Sequence, residues 1–279
     1  MEEQVEKRSI FDKTRIISRN GLKYIVILAM LLDHIAHFIP QSSAWFYILR
    51  GFGRLTGPTM AFFLVEGYFH THDIKKYLLR LGIFALISHI PFVFFETGQF
   101  APIWLYEGNV TVGNATYFYL TGIDKTFAIF NTSVIFTLLL GLLTIWMWDK
   151  AKFNIVFKIL ITIGVMFLSF WGDWCYMDIA FCLIFYFFRK KPVLKWVAFT
   201  AIVVLYVFSI FPLHGLWPLE CTPKFVPYRF ATLLVLPITE FFYSGKGGKK
   251  NAFNKWFFYI FYPAHLIILG IIFRLILGM

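Results

Sequence analysis

Nine apolar stretches follow one another along the chain, at residues 22–39, 52–69, 78–95, 132–148, 154–171, 177–188, 194–211, 227–243 and 256–277. A helix needs about 17 to 25 such residues to cross a bilayer. The runs are continuous rather than alternating and too long for barrel strands, which predicts helices. The sixth run is short, and the second carries Arg54 and Glu66. With 59% hydrophobic and only 15% charged residues, a soluble fold could not clothe its surface in polar groups. Disorder, coiled coil, collagen and a disulfide scaffold are excluded by the same composition. The expected class is all-α: a polytopic integral membrane helix bundle with about nine transmembrane helices.

The net charge is +11. In a soluble protein that excess would suggest nucleic acid, but here lysines and arginines mark the cytoplasmic flanks of membrane helices. Of the 26 Lys and Arg residues, all but Arg50, Arg54, Lys125, Lys224, Arg229 and Arg274 fall in every second connection, counted from the N-terminus. This predicts a cytoplasmic N-terminal segment (1–21), no nucleic-acid partner, and a single transmembrane domain (22–279) whose longest outer loop, 96–131, covers the outer face. Residues 1–20 lack the pattern of a cleavable signal. The cysteines, Cys175, Cys182 and Cys221, are odd in number and lack ligand spacing, so no metal is expected.

An ionisable side chain within a span costs at least about 2.5 to 3.5 kcal/mol, so each one needs a partner, a wet cavity or a task. "ILAMLLDHIAHFIP" holds Asp33, His34 and His37. Counting from Leu22, His34 lies about 18 Å along the helix. Asp33 and His37, four apart, share a face. Arg54, on the next run at similar depth, is the natural ion partner of Asp33, and such a pair could equally lock two helices together. Glu66, His70 and His72 follow toward the other end of that run. Asp173 and Asp178 flank the fifth and sixth runs beside Trp171 and Trp174, which suit the headgroup boundary. His265 follows Pro263 in the last run; alone it reads as a packed histidine, beside a second intramembrane histidine as a reactive one.

"GLKYIVILAMLLDHIAHFI", "GRLTGPTMAFFLVEGYFHTHDIKKYLLRLGIFALISHIPF", "FWGDWCYMDIAFCLIFYFFR" and "FYIFYPAHLIIL" resemble the TraX family of membrane proteins, named for the acetylase of conjugative pilin. The matches are ordered and cover most runs, though not the first 20 residues or the long loop. That family is similar to the acyltransferase-3 group of polytopic acetyltransferases, in which a first-span His is essential and the donor is cytoplasmic acetyl-CoA. By position, the resemblance makes His34 the catalytic residue, with Asp33 beside it, and the membrane domain acyltransferase-like. Where the family has an Asp-Tyr-Gly pattern, this chain has Asp173, Trp174 and Cys175.

Acetyl transfer needs a base for the acceptor proton and a donor or cation for the developing oxyanion. His34 fits the first role, with Asp33 or a neighbouring carbonyl orienting it. Arg54, His265, Glu66 and His37 are candidates for substrate or oxyanion contacts, and Lys75, Lys76, Arg80 and Tyr262 for holding acetyl-CoA, the expected co-substrate. The lysines also serve as topology signals. The acceptor is open among a peptide N-terminus, a sugar and a lipid-linked glycan, at or beyond the outer membrane face. A proton-coupled carrier using Asp33, His34, Arg54 and Glu66 as its ion path is the alternative in a multi-pass protein of the inner membrane.

Overall fold

Ser18 starts the first helix, α1 (Arg19–Ala36): its hydroxyl accepts from the Gly21 amide at 3.1 Å, satisfying a donor the helix itself cannot. Leu22, Val26, Ala29, Met30, Asp33 and His34 are buried at spacings of one, three and four, while Tyr24, Ile25 and Leu28 are exposed. One face therefore packs inward although both faces are apolar. The computed structural model describes residues 14–97, 109–112, 115–118, 132–169, 172–174, 176–208, 226–247 and 252–278.

Helices α2 (Ala44–Gly53), α3 (Thr56–His70) and α4 (Ile74–Thr97) come next. A two-stranded antiparallel hairpin, β1 (Asn109–Val112) with β2 (Ala115–Phe118), pairs Asn109 with Phe118. The chain continues through α5 (Val134–Lys150), α6 (Ile155–Leu168), α7 (Met177–Phe187) and α8 (Pro192–Val207). An irregular segment follows: a 3-10 turn at Pro227–Leu234, one α turn at Val235–Pro237 and a π turn at Ile238–Phe242. The last helix, α9 (Ala252–Gly270), ends in a π-helical stretch, Ile271–Ile276.

Helix α1 packs on α2, α3 and α9; α4 packs on α9 and α5; α7 packs on α3 and α5. Helix α6 lies outside this group. Within it only Thr162 is buried, and Ile155, Phe157, Leu160, Ile163 and Phe167 are each at least half exposed. A helix that is apolar all round and still exposed is built to face lipid. Among the described residues, Ile74–Glu96 and Trp256–Ile276 are long and apolar enough to cross a bilayer, while Ile155–Leu168, Met177–Phe187 and Pro192–Val207 are apolar but shorter. The molecule is a mostly helical membrane protein.

The apolar runs all fall on helical segments, but two are not single helices. The run at 52–69 breaks at Arg54–Leu55, so that α2 is a helix of its own. Pro58 explains the break: it has no amide for the Arg54 carbonyl four residues before it, and its ring crowds that carbonyl. At Gly53 a Cβ would lie 2.2 Å from Asp33 Oδ1, so α1 and α2 touch where only glycine fits. The run at 227–243 opens on Pro227 and is interrupted at Pro237, which lacks an amide donor. Of the expected outer loop, residues 98–108, 113–114 and 119–131 lie outside the described residues, and the hairpin is a small strand element in it.

The N-terminal stretch is bonded to the segment before α9. Ile17 N donates to Phe242 O at 2.9 Å, Ser244 N to Ile17 O at 2.9 Å, and Arg19 N to Lys246 O at 2.8 Å.

Candidate functional site

Asp33 has two cationic partners. Arg54 Nη2 donates to Oδ1 at 3.0 Å and Oδ2 at 2.8 Å, and Arg50 Nη1 to Oδ1 at 3.0 Å. The remaining edges of Arg54 are also engaged: Nη1 donates to the Tyr206 hydroxyl at 2.9 Å and Nε to Arg50 O at 3.3 Å. Its guanidinium lies 4.6 Å from the Trp174 ring centroid. The expected Asp33–Arg54 pair is therefore present, and it is buried and bidentate. Arg50, four residues before Arg54 and on the same helical face, belongs with it; that spacing was the available signal.

His34 is oriented by a carbonyl rather than by Asp33. Its Nδ1 lies 2.9 Å from Met30 O and 3.1 Å from His265 Nε2, while His265 Nδ1 lies 2.9 Å from Phe261 O. Carbonyls only accept, so each Nδ1 carries the proton, and His265 Nε2 accepts from His34. This assignment follows from the bonding network and makes the His265 ring neutral. It leaves His34 Nε2 without a hydrogen-bond partner among the described residues, so that in the neutral ring its lone pair is unused. The two rings, 231 residues apart in sequence, are 4.9 Å apart between centroids. Phe95 meets His34 edge-on at 5.0 Å, and His37 stacks on it at 5.9 Å.

A cavity of about 650 Å³ runs between α1, α3, α4, α5 and α9. Arg19, Lys23, Arg80 and Gly247 line its basic end; Met30, Thr56, Val134 and Tyr262 line its far end, with Leu64, Tyr77, Leu138 and Tyr259 between. Along α1, Arg19 to Met30 spans about 16 Å. The far end stops at Met30, whose carbonyl holds His34, and at Tyr262, whose ring lies 5.5 Å from His265. At the basic end Arg80 Nε donates to the Tyr259 hydroxyl at 2.8 Å, and Lys23 Nζ lies 5.0 Å from the Phe258 ring centroid.

The other expected residues divide. Arg80 and Tyr262 line the cavity; Lys75 and Lys76 are exposed and do not. Lys76 instead pairs with Asp73 at 3.3 Å, and the Lys76 amide holds the Asp73 carboxyl below its ordinary range. Glu66 does not join the histidines: it sits ten residues beyond Thr56 on α3 and pairs with Arg189 at 3.4 Å. Arg19, Lys23 and Thr56 line the cavity without having been singled out in the sequence. The two basic residues were legible as topology signals only, and a threonine in an apolar run carries no signal.

The probable fimbrial assembly protein FimC, serogroup H1, of Dichelobacter nodosus is 32% identical over 254 residues, covering 89% of this chain and 92% of that protein. No solved structure matches the chain. The family model described as TraX protein matches residues 18–273, a range containing His34, Asp33, the cavity and His265. The chain belongs to the TraX family.

Proposed function

We propose that this protein is a membrane-embedded acetyltransferase that moves an acetyl group from cytoplasmic acetyl-CoA to an amine or hydroxyl of a pilus subunit at or beyond the outer face of the inner membrane. The observation that carries the reading is the pair His34–His265 standing just beyond the far end of a cavity whose other end is basic, next to Met30 and Tyr262, which line it. Support for the pilus subunit comes from the family and from the fimbrial relative.

Arg19, Lys23 and Arg80 suit the phosphates of coenzyme A, and the apolar passage between them and Met30 suits a slender arm carrying the thioester. The basic end then faces the cytoplasm, in keeping with an inner N-terminus and about nine crossings. His34 Nε2, with its lone pair unused, takes the proton of the acceptor as its nitrogen or oxygen attacks the thioester carbon. His265 Nε2 accepts from His34 Nδ1 and steadies the imidazolium that forms, as an orienting partner does in hydrolytic triads. Asp33, Arg50 and Arg54 hold α1 against α2 and so fix the depth and direction of His34. The carrier alternative needs Glu66 in the ion path, and Glu66 is paired with Arg189 elsewhere.

The test is labelled acetyl-CoA added to membranes of a deletion strain that carries the wild-type or the His34→Ala gene. Wild-type membranes should fix label and the variant should lose at least about 100-fold of the rate, at equal protein level and equal unfolding temperature. Equal labelling by the two would overturn the reading.

A further inference from the structure

Buried hydroxyls normally find partners, and leaving one unpaired costs about 1 to 3 kcal/mol. Three at the far end of the cavity have none: Thr56 Oγ1, Ser133 Oγ and the Tyr262 hydroxyl. Thr56 is 4% exposed, Ser133 1% and Tyr262 3%. Thr56 and Tyr262 line the cavity, as does Val134, the first residue of α5. Ser133 is the N-cap of that 17-residue helix, yet no side chain caps it. The Tyr262 oxygen is close enough to Ser133 Oγ and the Val134 amide to accept weakly from them, but it makes no hydrogen bond of full geometry. The proton of Tyr262 thus has no acceptor, and it stands beside a helix start, where amides and the helix dipole favour negative charge.

We propose that Tyr262, with Ser133 and the first turn of α5, holds the thioester carbonyl oxygen and stabilises the charge it acquires during transfer. The inference rests on the acetyl-transfer reading and assigns a role for which Arg54, held by Asp33 and Tyr206, is not free. As the acceptor's nitrogen or oxygen bonds to the carbonyl carbon, its proton passes to His34 Nε2. The carbonyl π pair moves onto oxygen, where Tyr262 and the α5 amides donate to it. Collapse re-forms the carbonyl and breaks the carbon–sulfur bond. The proton on His34 goes to the departing sulfur, giving coenzyme A thiol and the acetylated acceptor. Donors placed where charge develops, in a site closed to water, contribute most to such reactions.

The experiment compares wild type, Tyr262→Phe, Ser133→Ala and His34→Ala, each as full-length protein in membranes of the deletion strain. The probe is labelled acetyl-CoA over a range of concentrations, acting on the acceptors those membranes present. Tyr262→Phe should lower kcat about 100-fold, as loss of one oxyanion donor does, with KM for acetyl-CoA and unfolding temperature unchanged. Ser133→Ala should lower kcat by a smaller factor, and it serves as the reading variant if Tyr262→Phe does not accumulate. Wild-type kcat in the accumulating variants, or a loss confined to KM, would overturn the assignment while leaving acetyl transfer intact. If wild-type membranes fix no label, the acetyl-transfer reading itself fails.

Discussion

Two polar clusters flank His34, and they are built to opposite rules. On one side Asp33, Arg50, Arg54 and Tyr206 exchange hydrogen bonds until the guanidinium of Arg54 is engaged on every edge. On the other, Thr56, Ser133 and Tyr262 bury hydroxyls without a well-formed hydrogen bond. The first cluster pairs its charges within the protein and leaves only Arg50 Nε unpartnered; the second has no charge and no paired hydroxyl. Burial alone would class the two together, and a count of donors against acceptors separates them.

Breaking the complete cluster should cause the largest stability loss. Arg54→Leu leaves a buried carboxylate short of its main partner and should cost about 3 to 5 kcal/mol, read as a fall in the unfolding midpoint in detergent; an unchanged midpoint would show the pair to be ornamental. Thr56→Val and Ser133→Ala test the incomplete cluster and should have the reverse sign. Removing an unpartnered hydroxyl should leave stability equal or raise it by up to about 1 kcal/mol, and a clear loss in both would mean that the hydroxyls have structural partners. The smallest effects sharpen the picture at the basic end. Lys23→Ala and Arg80→Ala should each raise KM for acetyl-CoA about tenfold, the loss of one charge-assisted contact. Lys75→Ala and Lys76→Ala should leave it within about twofold, as expected of exposed charges. Equal effects from all four would place the donor outside the cavity.

The parts of this arrangement that were legible in the sequence share a cause. Asp33, His34, Arg54 and His265 stand out because charge and imidazole in an apolar run are expensive, and the structure brings all four to one region. Arg50 lay outside the runs as drawn, so its share of Asp33 went unseen although it is one helical turn from Arg54. Thr56 and Ser133 were invisible for the opposite reason: a hydroxyl costs little on a hydropathy scale and is common at helix starts. The separate helix α2 was also missed, though Ser43 marks its beginning by accepting from the Trp45 amide at 3.3 Å. The break after it was legible, since Gly51, Gly53, Gly57 and Pro58 permit irregular backbone and Pro58 denies the Arg54 carbonyl an amide.

The contact between His34 and His265 joins the first helix to the last across 231 residues. A chain emerging from the ribosome therefore inserts almost its whole length before the imidazole of α1 meets its partner. The same delay applies to the entrance, where Ile17 waits for residues 242 to 244 to be made. A product truncated between α8 and α9 carries the whole Asp33 lock but lacks His265, so on the acetyl-transfer reading premature termination there yields an inserted but chemically silent protein.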